Sequence, residues 1–160
     1  MTAGVRTEVV GASIRRSDRP SAADFWTIFT ALDKATAPIA GPVQLRPFAL
    51  LLLNEAGAVI GGLWGHTAYS WLVIEMLIVP EPLRNRGLGS ALVHHAEAIA
   101  FERGCVGMQV ASFDFQAPAF YQRLGFTVFG VQEDYPPGHR HLYLSKRLSP
   151  SNPAEPSVKP

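Results

Sequence analysis

The 160-residue chain is 48% apolar and 17% charged, which allows one sizeable core and excludes general disorder. A net charge of +1 leaves no basic stripe of the kind that binds nucleic acid. One cysteine, Cys105, excludes an internal disulfide framework and suits a reducing, cytoplasmic setting. The first twenty residues hold no long apolar run ahead of a small-residue cleavage site. No stretch approaches the ~18 apolar residues of a membrane span.

The first strand is predicted at Glu8–Ile14. Ser21 and Asp24 then form a capping-box-like start for a helix from Ala22 to Lys34, with Phe25, Ile28, Phe29 and Leu32 on one face. Pro38, Gly41 and Pro42 mark Thr36–Arg46 as a loop. Phe48–Leu53 and Val59–Trp64, joined across Glu55-Ala56-Gly57, read as a hairpin. Trp71–Val79 (WLVIEMLIV) is apolar on both faces except at Glu75, the pattern of a central, doubly covered strand. A helix follows from Ser90 to Arg103 and stops at Gly104. Val106–Ser112 is the next strand, Ala117–Leu124 a short helix ended by Gly125, and Phe126–Val131 and His141–Leu144 the last two strands. The Pro- and Ser-rich stretch 149–160 is expected to be disordered, beyond a single domain spanning 1–148. The order implies a mixed α/β (α+β) architecture: a twisted, largely antiparallel sheet with flanking helices.

Between the apolar strand and its helix stands Val79-Pro80-Glu81-Pro82-Leu83-Arg84-Asn85-Arg86-Gly87-Leu88-Gly89-Ser90. A helix N-terminus offers unpaired N–H groups and a partial positive charge, and phosphate binds there readily. Glycine lets backbone approach the anion, and arginine adds charge-assisted bonds. The Gly-Lys-Ser/Thr ending of a P-loop is missing, and so is the third glycine of a dinucleotide fingerprint. These residues suit a pyrophosphate, but a solvated turn has the same composition.

Arg84-x-x-Gly87-x-Gly89 resembles the acyl-CoA-binding motif of the GCN5-related N-acetyltransferases (GNAT family). Ala117-Pro118-Ala119-Phe120-Tyr121-Gln122-Arg123-Leu124-Gly125-Phe126 is similar to that family's second motif, at a separation of one helix and one strand. The resemblance covers about Val59 to Leu148. It implies acetyl-CoA as co-substrate, no metal, and direct transfer of acetyl to a primary amine of a small molecule or an exposed amino group. A homodimer is compatible with it. It also implies that Leu77, Ile78 and Val79 bond the pantetheine and acyl oxygen through their backbone. Arg84, Asn85, Arg86, Gly87, Leu88, Gly89 and Ser90 would cradle the pyrophosphate. Asp114, Ala117, Phe120 and Tyr121 would line the arm. The family often has Asn where this chain has Asp114; Asp keeps the size and loses the amide donor. Tyr121 matches a tyrosine near the thioester sulfur and is assigned as general acid. The Val79 N–H is the candidate oxyanion donor. The alternatives are a non-catalytic acyl-CoA sensor on the same fold and a plain interaction domain.

Glu75 is the candidate general base. It stands four residues before Val79, so strand alternation puts the two on one face, and a carboxylate in an apolar strand is costly without a partner or a task. His94 and His95 point apart, one solvated and one half-buried. His139 and His141 alternate onto one strand face but are too few to hold a metal. His66 could rim an acceptor site. Cys105 reads as a small buried hydrophobe. Glu133, Asp134 and Tyr135 could meet a cationic amine or form a solvated loop. Trp64, Tyr69 and Trp71 read as core before substrate cage.

Overall fold

The computed structural model describes residues 8–9 and 11–149. Two short strands, β1 (Glu8–Val9) and β2 (Ala12–Ser13), pair antiparallel where one strand was expected. Gly11, at φ 86°, sits between them and supplies the left-handed residue of a turn.

The capping box forms as its residues require. Ser21 Oγ accepts from the Asp24 N–H at 3.1 Å, and Asp24 Oδ2 accepts from the Ser21 N–H at 2.8 Å. The backbone bond from Ser21, then its hydroxyl, hold the Asp24 carboxyl below its ordinary value. Helix α1 runs Ala22–Ala40 and so absorbs part of the predicted loop. Pro38 falls in the last turn, where its missing N–H removes a single bond, and the helix closes with the Gly41 N–H on Ala37 O at 2.9 Å.

The chain divides into two compact units, Met1–Pro42 and Val43–Pro160. The second contains a six-stranded sheet: β3 (Arg46–Leu53), β4 (Val59–Ala68), β5 (Trp71–Ile78), β6 (Gly107–Phe113), β7 (Thr127–Glu133) and β8 (Arg140–Arg147). Their order is β3-β4-β5-β6-β8-β7, and every pairing is antiparallel except β5–β6. Parallel neighbours need a crossover, here helix α2 (Leu88–Glu102). The short helix α3 (Pro118–Arg123) joins β6 to β7. This is the mixed, largely antiparallel sheet with flanking helices expected from the pattern.

Leu92, Val93, Ala96 and Ala100 of α2 form one core with Leu63, Leu72, Ile74, Met108, Val110 and Leu144 of the sheet. Each large side chain so buried contributes roughly 1.5–3 kcal/mol. His94 and His95 are both exposed, because Ala96 and not His95 turns to that core. Arg103 caps α2 and reaches the Arg46 carbonyl at 2.7 Å and Thr67 Oγ1 at 3.2 Å. Lys146 of β8 bonds Glu97 of α2 at 2.8 Å. Cys105 is buried, and burial pushes its thiol up.

Two departures in β5 shape the site. Trp64 faces Met76 and Gly65 faces Ile74, which leaves Glu75 unmatched in a β-bulge. Before the bulge Leu72 and Ile74 are buried; after it the inward phase passes to Leu77 and Val79. The expected common face of Glu75 and Val79 is therefore broken by one residue. The strand is also not doubly covered: Met76 and Ile78 are 60% and 55% exposed. The reason is the pairing. β5 and β6 are bonded only over Trp71–Ile74 and Gly107–Val110. Beyond that, β5 stays with β4 to Ile78 and β6 stays with β8 to Phe113. The sheet splits down its middle.

The expectation for 149–160 lies, past Ser149, outside the described residues. No helix among the described residues is long and apolar enough to cross a membrane.

Candidate active site

The split opens a cleft of about 910 Å³. One bank is the free half of β5, from Glu75 to Val79, and the other is the end of β6, Ala111 and Ser112. The start of α2 and the helix α3 close it on the side of the core.

The turn entering α2 is built from left-handed residues. Glu81–Leu83 makes a 3-10 turn, Asn85 has φ 60°, and Gly87 has φ 83°. Gly87 is also the N-cap of α2, so no side chain caps the helix. Ala91 is the first residue to bond back, its N–H on Gly87 O at 2.9 Å. The N–H groups of Leu88, Gly89 and Ser90 thus have no intrahelical acceptor, and all three residues line the cleft. The helix begins two residues before the predicted Ser90, which places both glycines of the motif at its N-terminus. A Cβ on Gly89 would stand 3.3 Å from Phe120 Cζ, a tight approach that would make the Phe120 ring shift by a few tenths of an ångström. The arrangement fits an anionic group held by backbone.

Arg84 turns inward, its Nε donating to Val79 O at 3.1 Å. The Val79 carbonyl is thereby occupied, while the Val79 N–H makes no backbone hydrogen bond among the described residues. Val79 is buried at the floor of the cleft.

Tyr121 is 7% exposed and faces the same space. Its ring meets Phe120 edge-on at 5.0 Å and Phe126 at 5.8 Å. Burial pushes its phenol up to about 12, so the hydroxyl stays protonated at any working pH.

Glu75 lines the cleft from the bulge, and its Oε1 accepts from His66 Nδ1 across the strand pair. His66 also lines a second cavity of about 490 Å³ with Tyr69, Trp71 and Gln109. Tyr69 and Trp71 therefore face space and not the core, and Trp64 is 46% exposed. The reading of these rings as core is corrected: Trp64 and Trp71 alternate with the buried Leu63 and Leu72 and so take the opposite sheet face, and Tyr69 lies in the turn between β4 and β5.

Of the predicted site residues, the structure gathers Glu75, Leu77, Ile78, Val79, Arg84, Asn85, Gly87, Leu88, Gly89, Ser90, Ala117, Phe120 and Tyr121 around one cleft. Arg86 and Asp114 stand apart from its lining. Asp114 bonds the Arg140 N–H at 3.0 Å and His139 Nδ1 at 3.1 Å. Burial raises its carboxyl, but the bonds from Arg140 and His139 outweigh that and hold it below the ordinary value. His139 precedes β8 and is engaged with Asp114, so it does not share a strand face with His141. Among the described residues no group of three or more potential ligands could hold a metal. The lining also includes Ala111, Ser112, Phe115 and Gln116, which the sequence reading passed over. Their only signal was their place at the end of the strand Val106–Ser112 and ahead of the short helix of the second motif.

A sheet split beside a parallel pair, with a bare helix N-terminus facing the gap, is the architecture of an acyl-CoA-using transferase. The pattern of the acetyltransferase (GNAT) family matches residues 19–126. The chain belongs to that family and is an acetyltransferase. It is 43% identical over 112 residues to the blasticidin-S acetyltransferase of Streptomyces morookaense, covering 69% of this chain and 82% of that protein. An acetyltransferase of Agrobacterium fabrum is 36% identical over 108 residues, 68% and 79% of the two chains. The crystal structure of an acetyltransferase from Bacillus cereus superposes with a TM-score of 0.72 at 33% identity, over 84% of this chain and 98% of that one.

Proposed function

We propose that this chain transfers acetyl from acetyl-CoA directly to a primary amine of a small molecule, in the gap between β5 and β6. The observation that carries this reading is the convergence of three groups on one cleft. They are a helix start without a cap, the unbonded Val79 N–H, and the buried Tyr121 hydroxyl. Acetyl-CoA supplies the activated acyl group.

The chain's own residues divide the work. The N–H groups of Leu88, Gly89 and Ser90 bind the pyrophosphate, and the exposed edge of β5 takes the pantetheine as a further strand would be taken. The Val79 N–H donates to the acyl oxygen as negative charge develops there. Glu75 takes the proton of the incoming ammonium, and His66 holds its carboxylate at the mouth of the split. Tyr121 faces the departing sulfur. A phenol near 12 is a weaker acid than an ordinary thiol near 8.5. It therefore stabilises the sulfur chiefly through a donated hydrogen bond. Asp114 is not assigned to the cofactor, because its oxygens already serve the start of β8.

The acceptor class follows from relatives. The protein named for blasticidin S is 43% identical, so blasticidin S is the first acceptor to try. The reading is tested by release of CoA thiol with blasticidin S, aminoglycosides, polyamines, amino acids and an N-terminal peptide. Turnover with a small amine supports it. Stabilisation by CoA without turnover of any amine would leave the acyl-CoA sensor in its place.

A further inference from the structure

A group of aromatic rings stands beside the cleft. Phe113 ends β6, and its register partner His141 is the second residue of β8; their rings stack at 4.3 Å. Tyr135 meets both edge-on, at 5.6 Å and 5.2 Å. Phe115 stacks on Phe113 at 5.1 Å, with the ring planes nearly parallel at 6°, and Tyr143 follows His141 at 4.8 Å.

Three observations tie this cluster to the reaction. Phe115 itself lines the cleft and is 56% exposed, so the ring stack reaches the cleft. Ala111 alternates with Phe113 on the sheet face away from α2. Both Ala111 and Glu75 line the cleft, so the split opens through to that face beside the cluster. Finally, His141 Nδ1 is buried without a hydrogen-bond partner among the described residues. A buried polar atom without a partner is costly and calls for a reason, such as a role at a functional site.

We propose that these rings are the acceptor's recognition surface, and that the acceptor is an amine carrying a flat aromatic or heteroaromatic group. This rests on the acetyl-transfer reading and adds the chemistry of the substrate to it. The flat group stacks against the half-exposed faces of Phe115 and Tyr135, where offset stacking contributes beyond area alone. The amine then enters the split and meets Glu75. An aliphatic polyamine makes only the second of these contacts.

The experiment compares two amines of similar size and amine basicity, benzylamine-type and straight-chain. It uses the wild type, Phe115→Leu and Tyr135→Leu. Both replaced rings are about half exposed, so the fold is kept; a circular-dichroism melt and the CoA thermal shift confirm it. The wild type should prefer the aromatic amine by at least tenfold in kcat/KM. Each leucine variant should raise KM for that amine about five- to tenfold, leave its kcat within twofold, and leave the straight-chain amine unaffected. Equal use of both amines by the wild type, or equal losses for both in the variants, overturns the proposal and leaves acetyl transfer standing. Transfer to neither amine nor to any other acceptor overturns both.

Discussion

Removing one oxygen atom at Tyr121 separates chemistry from packing. In Tyr121→Phe the ring keeps its contacts with Phe120 and Phe126. Among the described residues the hydroxyl has no hydrogen-bond partner to leave behind, so stability should change by less than about 0.5 kcal/mol. What is lost is a hydrogen bond to a sulfur that becomes negative. Bonds to charged groups contribute about 1.5–3 kcal/mol, which corresponds to a fall in kcat of roughly 10- to 150-fold. KM for acetyl-CoA should hardly move, because the bond strengthens only as the sulfur leaves. The assay is thiol release with both substrates saturating, alongside a thermal melt. Because burial holds the phenol near 12, the wild-type rate should show no descending limb from this group up to about pH 10. A variant that turns over within twofold of wild type would refute the role given to Tyr121. So would a loss of rate matched by a loss of fold.

Glu75→Gln should lower kcat about 100-fold or more, as removal of a general base does, and leave the thermal shift with CoA unchanged; an unaltered pH–rate profile would remove Glu75 from the mechanism. Gly89→Val drives side-chain atoms into Phe120, 3.3 Å from even a first carbon, at a cost of about 1–3 kcal/mol. It should raise KM for acetyl-CoA at least tenfold with little effect on that of the amine, and equal effects on both would argue against the cradle. Asp114 has a folded-state pKa below its ordinary 3.8, so its contribution to stability is present above that pH and lost as pH falls through the folded value. The gap in melting temperature between wild type and Asp114→Asn should therefore be present at pH 5 and close below about pH 3.8; a gap that persists at pH 2 would show a different cause.

Local chemistry made much of this fold legible. The Ser21/Asp24 box, the apolar run of β5 and the glycines at 87 and 104 each act within a few residues, and each marks its element in the sequence. The site was legible where a motif fixes backbone, as at Gly87 and Gly89. It was less so where distant strands decide. The bulge at Glu75 depends on β4 pairing, and nothing in WLVIEMLIV announces the extra residue. The exposure of Met76 and Ile78 follows from β6 leaving the sheet, so an apolar pattern that elsewhere means burial here lines a cleft. Asp114 was read by its position relative to Ala117, but its partners come from the start of β8. The aromatic cluster likewise joins residues from β6, β8 and the segment before it, which alternation within one strand does not connect.

The most direct test of acetyl transfer is mass spectrometry of a reaction containing this protein, acetyl-CoA and blasticidin S or an aromatic amine. The acceptor should gain the mass of one acetyl group on nitrogen, with one CoA released per product, and Glu75→Gln should slow both together. CoA released without an acetylated amine, or an acceptor left unchanged while acetyl-CoA binds and stabilises the protein, would contradict the account.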